Sequence, residues 1–452
     1  MSFARKGASL DTDFRAAELP RFAKAQSTLI SIAAFAFLFI AWNGLISWNW
    51  ARINSLCNLS STDPVLAAKR DWNKWNWEKC ETYFFGADPL EYDFYFQGFP
   101  ASLRELTDRI SDTRGRETLL VEYHKRPLFG PLSAFNNSIV AELFSLSHPA
   151  RMHAVLAAYA SICSILLYQL LLLIGSPLTL ALCLTAVATV SFSWLSIFSM
   201  PESYSLSVAA TIIAAKSGIR LMRAAVSGSR WTIPIHAVTI GLASWIYLPA
   251  FGAVFLAISP RSRAIPQLRL LLISGGIACA LALAPQLMLG GLSQVKAQVD
   301  YGSQWGSFWN FLSLPNWIDV FAAFMIFSIV PPTDNALISP GSLQWTAMQF
   351  FPIIGSALLL VLLYFLLFFC ALRRDIATTS IAGPAIWLLS LIAFHVGFNP
   401  REVLLYTSPP LVVALLIAAL VLKQMQVSTK KTLAGGLCLV GVLMLMNFRA
   451  LA

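Results

Sequence analysis

The sequence predicts an all-α polytopic membrane protein, with about eleven transmembrane or membrane-embedded helices and a large loop after the first. Three observations predict it. Of the 452 residues, 57% are hydrophobic and only 12% charged, about half of the roughly 25% charge that a water-facing domain carries. The mean hydropathy is +0.67. Apolar segments recur along the chain, most of them near the roughly 20 residues that a bilayer core requires. This composition excludes a soluble enzyme, a secreted disulfide scaffold and a disordered chain.

Residues 1–27 form a basic, cytoplasmic tail. The first transmembrane helix follows over 28–47 and, lacking an early apolar core and a small-residue cleavage site, reads as an uncleaved anchor. Residues 48–153 form a polar, aromatic extracytoplasmic loop with interfacial helices, and 154–452 form the helical body. Within the body, apolar segments lie near 154–174, 179–199, 203–219, 232–247, 249–259, 270–290, 348–372, 379–397, 403–422 and 432–448. The pair 232–247 and 249–259 is too short to span twice and predicts a hairpin, with its tip Tyr247-Leu248-Pro249 near one face. Irregular backbone there is tolerable if buried in protein or lining a wet cavity. A second outer loop covers about 291–347; its semi-apolar run Val320–Val330 is too short to span and lies along or dips into the membrane.

The formal charge of +10 invites a nucleic-acid reading, but the positions of the bases give an orientation instead. With the N-terminus inside, seventeen Lys and Arg fall on cytoplasmic segments. Only Arg151, Lys296, Arg401 and Arg449 fall outside, apart from those of the first loop. The C-terminus is then extracytoplasmic.

Five of the seven cysteines lie in apolar spans, where a small buried hydrophobe is the default. Cys57 and Cys80 share the first loop and can pair if it faces an oxidising compartment. The five histidines show no ligand spacing, so no metal site is assigned. The sequons at Asn58 and Asn136 are short enough to arise by chance.

The carboxylates are more informative. Twelve of 22 lie between Asp63 and Glu122 in the first loop, among many aromatic residues. Long loops without a joining duty are usually functional or disordered, and this aromatic content argues against disorder. For Trp72–Trp77 an interfacial helix in an aromatic belt is the preferred reading. Three outer-face motifs stand out: Phe85-Gly86-Ala87-Asp88-Pro89-Leu90-Glu91-Tyr92-Asp93; His124-Lys125-Arg126-Pro127-Leu128-Phe129; and Asn399-Pro400-Arg401-Glu402 followed by Leu405-Tyr406. Pro201-Glu202-Ser203-Tyr204 places a lone carboxylate between two spans. An ionisable group at a membrane edge is costly unless solvated, paired or functional. The plainer readings are a helix-dipole role for Glu202 and an Arg401–Glu402 pair.

Taken in order, these motifs resemble those of the GT-C membrane glycosyltransferases, the superfamily of protein mannosyltransferases and aminoarabinose transferases. The similarity is to bacterial members with an FGAD-type loop (Phe85–Asp88), an HPLF-like return (His124–Phe129), a PE[ST]Y turn (Pro201–Tyr204) and a late arginine before Leu-Tyr (Arg401–Tyr406). Here two bases separate His124 from the Pro-Leu, a departure from that pattern.

The resemblance implies transfer of a sugar from a polyprenyl-phosphate donor to a glycan, lipid or protein acceptor. The setting would be the outer face of a bacterial inner membrane, with no nucleic acid involved. A carboxylate acts as base on the acceptor hydroxyl: Asp88 first, then Asp93, then Glu91. The leaving phosphate calls for a fixed cation, for which Arg401 offers a fork matched to phosphate oxygens, with Lys125 and Arg126 next. Glu202, His124 and Tyr406 orient substrate. Some relatives use a divalent metal and others none. Two rival readings remain: a transporter or flippase of lipid-linked sugars, and a non-catalytic scaffold subunit.

Overall fold

The computed structural model describes residues 21–56, 98–112, 129–199, 204–227, 232–257, 272–273, 275–277, 280–281, 308–329, 378–398, 406–425 and 428–451. Every regular element among them is helical, and several are long and apolar, as in an integral membrane protein. In chain order these are α1 (Arg21–Leu56), α2 (Leu103–Ser111), α3 (Phe129–Phe144), α4 (Ala150–Leu173), α5 (Leu178–Thr189), α6 (Phe192–Phe198), α7 (Tyr204–Ser227) and α8 (Thr232–Ser244). A 3₁₀ segment, Leu248–Ala257, follows α8. A short 3₁₀ turn (Phe308–Leu312) leads into α9 (Leu314–Ala322), which continues as a π turn (Ala323–Phe327). The chain closes with α10 (Thr378–Phe398), α11 (Ser408–Gln424) and α12 (Thr429–Leu451).

Four described helices are long and apolar enough to cross a membrane: α1, α4, α7 and α12, or five if the bent pair α5–α6 is one span. The remaining apolar helices, α8, α9, α10 and α11 among them, are shorter. Span 348–372 lies outside the described residues, and within 270–290 only 272–273, 275–277 and 280–281 are described, all of them helical.

Side-chain bonds sort the helix termini into two ends. At one end, Lys216 on α7 reaches Gln169 on α4 (2.9 Å), while Arg223 on α7 and Lys423 on α11 donate to the Leu173 and Ile174 carbonyls that close α4. These cations satisfy carbonyls that a helix C-terminus leaves without partners. At the other end, Ser47 of α1 meets His153 of α4 (3.0 Å), and Asn49 donates to the carbonyl and hydroxyl of Ser199 after α6. The starts of α4, α7 and α11 and the finish of α1 therefore share that end. The described carboxylates all lie on α2, α3, α9 and the residue closing α2.

One sequence expectation is corrected. The run 179–199 is not one straight helix: α5 and α6 meet at a 60° bend around Val190-Ser191. A bend frees backbone groups, which in an apolar surround must find partners. They do. The first amides of α6, Phe192 and Ser193, donate to the Ile329 and Ser328 carbonyls (3.0 and 3.1 Å). The Asn447 amide of α12 donates to Val190 O (2.6 Å) and Ile329 O (2.9 Å). The run beginning at Val320 thus dips inward, burying Val320, Phe324 and Phe327 and ending against the bend.

The short pair does form a hairpin. Its tip residue Tyr247 bonds His395 at the end of α10, and the 3₁₀ segment then runs back along α10, Pro249 beside Trp387 and Phe255 beside Gly383. Glycines permit this approach. A Cβ at Gly218 of α7 would collide with the Ala253 carbonyl, and one at Gly383 with the Phe255 carbonyl. Without a hydrophobic drive between helices in lipid, such small-residue contacts let backbones close up and gain packing energy.

Candidate active site

The described part of the first loop is built on a capped helix. Ser102 accepts from the Glu105 amide (3.1 Å) while the Glu105 carboxylate reaches back to the Ala101 amide (2.9 Å), a capping-box arrangement displaced by one residue. Arg109, one turn on, pairs with Glu105. The Ala101 amide, and then the nearby cations Arg109 and Arg151, hold the Glu105 carboxyl below its ordinary pKa, against a smaller opposing effect of burial. This unit docks on α3: Asn137 donates to Pro100 O (3.0 Å), Ser138 does the same (3.0 Å), and Glu142 accepts from the Leu103 amide (3.0 Å). The sequon at Asn136 is spent structurally. Ser138 is fully buried, and the Asn136 amide donates to the Tyr159 hydroxyl (2.8 Å).

At the same end of the bundle lies a buried aromatic and polar cluster. The hydroxyls of Tyr204, first residue of α7, and Tyr406, just before α11, are 2.7 Å apart. Their rings meet edge to face with centroids 4.7 Å apart. The Tyr406 ring lies 4.5 Å from the fully buried His395 ring. His395 Nε2 is 3.0 Å from the Tyr247 hydroxyl, and Phe324 meets the imidazole edge to face at 5.4 Å. Four chain segments distant in sequence are thereby tied to one point.

Among the sequence-predicted site residues, Tyr406 is described and occupies this cluster. Asp88, Glu91, Asp93, His124, Lys125, Arg126, Glu202 and Arg401 lie outside the described residues, as do Cys57 and Cys80. What is brought together is the closing tyrosine of the Pro201–Tyr204 motif and that of the Arg401–Tyr406 motif. Tyr247 and His395, which complete the cluster, carry no motif; the hairpin tip at Tyr247 was the one sequence signal near them.

Asp319 is a further group that sequence reasoning passed over. It sits on α9, a helix too short to cross a membrane, with only 8% of its surface exposed. Its Oδ1 is buried with no hydrogen-bond partner among the described residues, and burial raises its pKa to about 7. Desolvation penalises the ionised form, so this carboxyl exchanges its proton near neutrality. A π turn begins four residues further on, at Ala323, a feature often found beside functional sites. Among the described residues no three His, Cys, Asp or Glu side chains group as a metal site. No family model, curated protein or solved structure matches the chain.

Proposed function

We propose that the protein is a GT-C-type glycosyltransferase with about eleven membrane-embedded helices, which moves a sugar from a polyprenyl-phosphate donor to an acceptor hydroxyl. The N-terminus is cytoplasmic; the active site and C-terminus face the periplasm of a bacterial inner membrane. The observation that carries this reading is the Tyr204–Tyr406 bond, which joins the two late motifs at one end of the bundle.

In the proposed reaction a loop carboxylate, Asp88 before Asp93 or Glu91, takes the acceptor hydroxyl proton. The oxygen forms a bond to the anomeric carbon as the bond from that carbon to the phosphate oxygen breaks, with inversion. Arg401, supported by Lys125 and Arg126, stabilises the departing lipid phosphate. Glu202, His124 and Tyr406 orient the reactants. A sugar-flipping transporter is the second reading, because broken helices such as α5–α6 are a transporter device. Here, however, the amides opening α6 and the Val190 carbonyl are engaged by Ser328, Ile329 and Asn447, not offered to a substrate.

The test is transfer of radiolabelled sugar from a polyprenyl-phosphate donor in membranes containing wild type, Asp88→Asn or Arg401→Ala. Both variants lose activity by about a hundredfold or more, as for removal of a general base or an oxyanion-stabilising group. Full activity in both, with expression equal to wild type, contradicts the site.

A further inference from the structure

The end of the bundle opposite the tyrosine cluster is basic. Arg220 on α7 acts through space on Lys216, Arg223 and His236. Arg223 and Lys423 flank the close of α4, on the neighbouring carbonyls of Leu173 and Ile174. The described carboxylates all lie on other elements, α2, α3, α9 and the residue closing α2. Beside Lys423 a cavity opens between the start of α5, the end of α11 and the start of α12. It holds about 30 Å³, room for about two water molecules. Its polar lining is Lys423, Thr179, Thr429 and Thr432, a cation and hydroxyls with no carboxylate.

Two helices begin at this cavity, and their opening amides are not engaged. The first α5 amide with a backbone partner is Ala181, on Pro177 O (3.0 Å), and Pro177 offers no side-chain cap. The Leu178, Thr179 and Leu180 amides before it have no partner among the described residues. On α12, the Ser428 carbonyl and hydroxyl take the amides of Thr432 (2.9 Å) and Lys431 (3.4 Å), leaving those of Thr429 and Lys430. The Ser176 hydroxyl, next to the first turn of α5, is buried with no hydrogen-bond partner among the described residues. An ammonium beside unengaged helix-opening amides suits a phosphate group. Depth then selects its source. Thr429 opens the membrane-crossing stretch Thr429–Asn447, and Leu178 opens the bent pair α5–α6. The cavity therefore lies where the apolar core gives way to lipid headgroups. We propose that it binds the phosphodiester headgroup of an anionic bilayer lipid, as basic pockets between membrane helices do. The site is at the far end from the tyrosine cluster and does not rest on the transfer reaction.

The test uses the full chain in neutral detergent with phosphatidylglycerol, phosphatidylcholine or inorganic phosphate added. Native mass spectrometry counts bound lipid, and thermal unfolding reads stability. Wild type retains one equivalent of phosphatidylglycerol at least about tenfold more tightly than phosphatidylcholine, and melts higher with it. Thr179→Glu puts a carboxylate in the cavity where a helix N-terminus favours one. The unliganded variant therefore melts at or above wild type, while phosphatidylglycerol binding falls about tenfold or more. Lys423→Gln, which keeps a donor for the Ile174 carbonyl, weakens binding to a similar degree. Inorganic phosphate that displaces the lipid at equal concentration would make the free ion the ligand and overturn the lipid assignment. Equal retention of the two lipids by wild type, unchanged phosphatidylglycerol binding in Thr179→Glu, or a lower unliganded melting temperature for that variant overturns the proposal.

Discussion

Gly383→Ala probes how closely the 3₁₀ segment is seated on α10. A Cβ built at Gly383 lies 2.5 Å from the Phe255 carbonyl oxygen, 3.1 Å from Leu256 Cα and 3.2 Å from the Phe255 carbonyl carbon. All three are backbone atoms, so no side chain can swing away. Restoring contacts of about 3.5 Å means separating segment and helix by roughly 1 Å. Overpacking of this kind costs about 1–3 kcal/mol, and the better helix propensity of alanine returns up to about 1 kcal/mol. The net loss is about 1–2 kcal/mol. At about 2–4 °C per kcal/mol, the melting midpoint in detergent falls by at most about 8 °C. Gly435→Ala on α12 is the matched control: nothing lies within 4 Å of its added Cβ, so the midpoint stays level or rises. If Gly383→Ala melts with or above Gly435→Ala, the backbone contact does not hold the hairpin against α10.

Two further outcomes follow from groups placed inside the bundle. Asn447→Leu deprives the Val190 carbonyl of its side-chain donor at the bend and lowers stability by about 1–3 kcal/mol, read as a lower melting midpoint, whereas Asn447→Asp at a pH that keeps the acid protonated retains an acceptor-matched donor and loses less. Asp319 has a folded pKa raised to about 7, so its protonated form favours the fold. Wild type therefore loses stability as pH rises from about 4 through 7, and Asp319→Asn removes that slope; equal pH profiles for the two proteins would contradict the burial argument.

Much of the helical architecture was legible because lipid imposes length and apolarity on a span. The segments 154–174, 203–219, 379–397, 403–422 and 432–448 each contain or adjoin a helix, and the 232–259 hairpin was readable from its two halves being short. The bend at Val190-Ser191 was not, since neither residue is a proline or glycine. Its partners, Ile329 and Asn447, are more than a hundred residues away in sequence. The candidate site divides in the same way. Tyr204 and Tyr406 stood within motifs, but their bond is a tertiary fact. His395 had no spacing to mark it, being held by an aromatic from the hairpin tip. Lys423 entered the sequence reading only as one charge in an orientation count, because a sequence shows charge and not the cavity beside it.

The most direct test of the central claim follows both halves of a doubly labelled donor, sugar and polyprenyl phosphate, in liposomes containing the purified protein and an acceptor extract. A transferase splits the donor: polyprenyl phosphate accumulates mole for mole with glycosylated acceptor, and the new glycosidic bond has the inverted configuration. Movement of intact donor across the bilayer, with no polyprenyl phosphate released, would contradict the account and leave the protein a transporter.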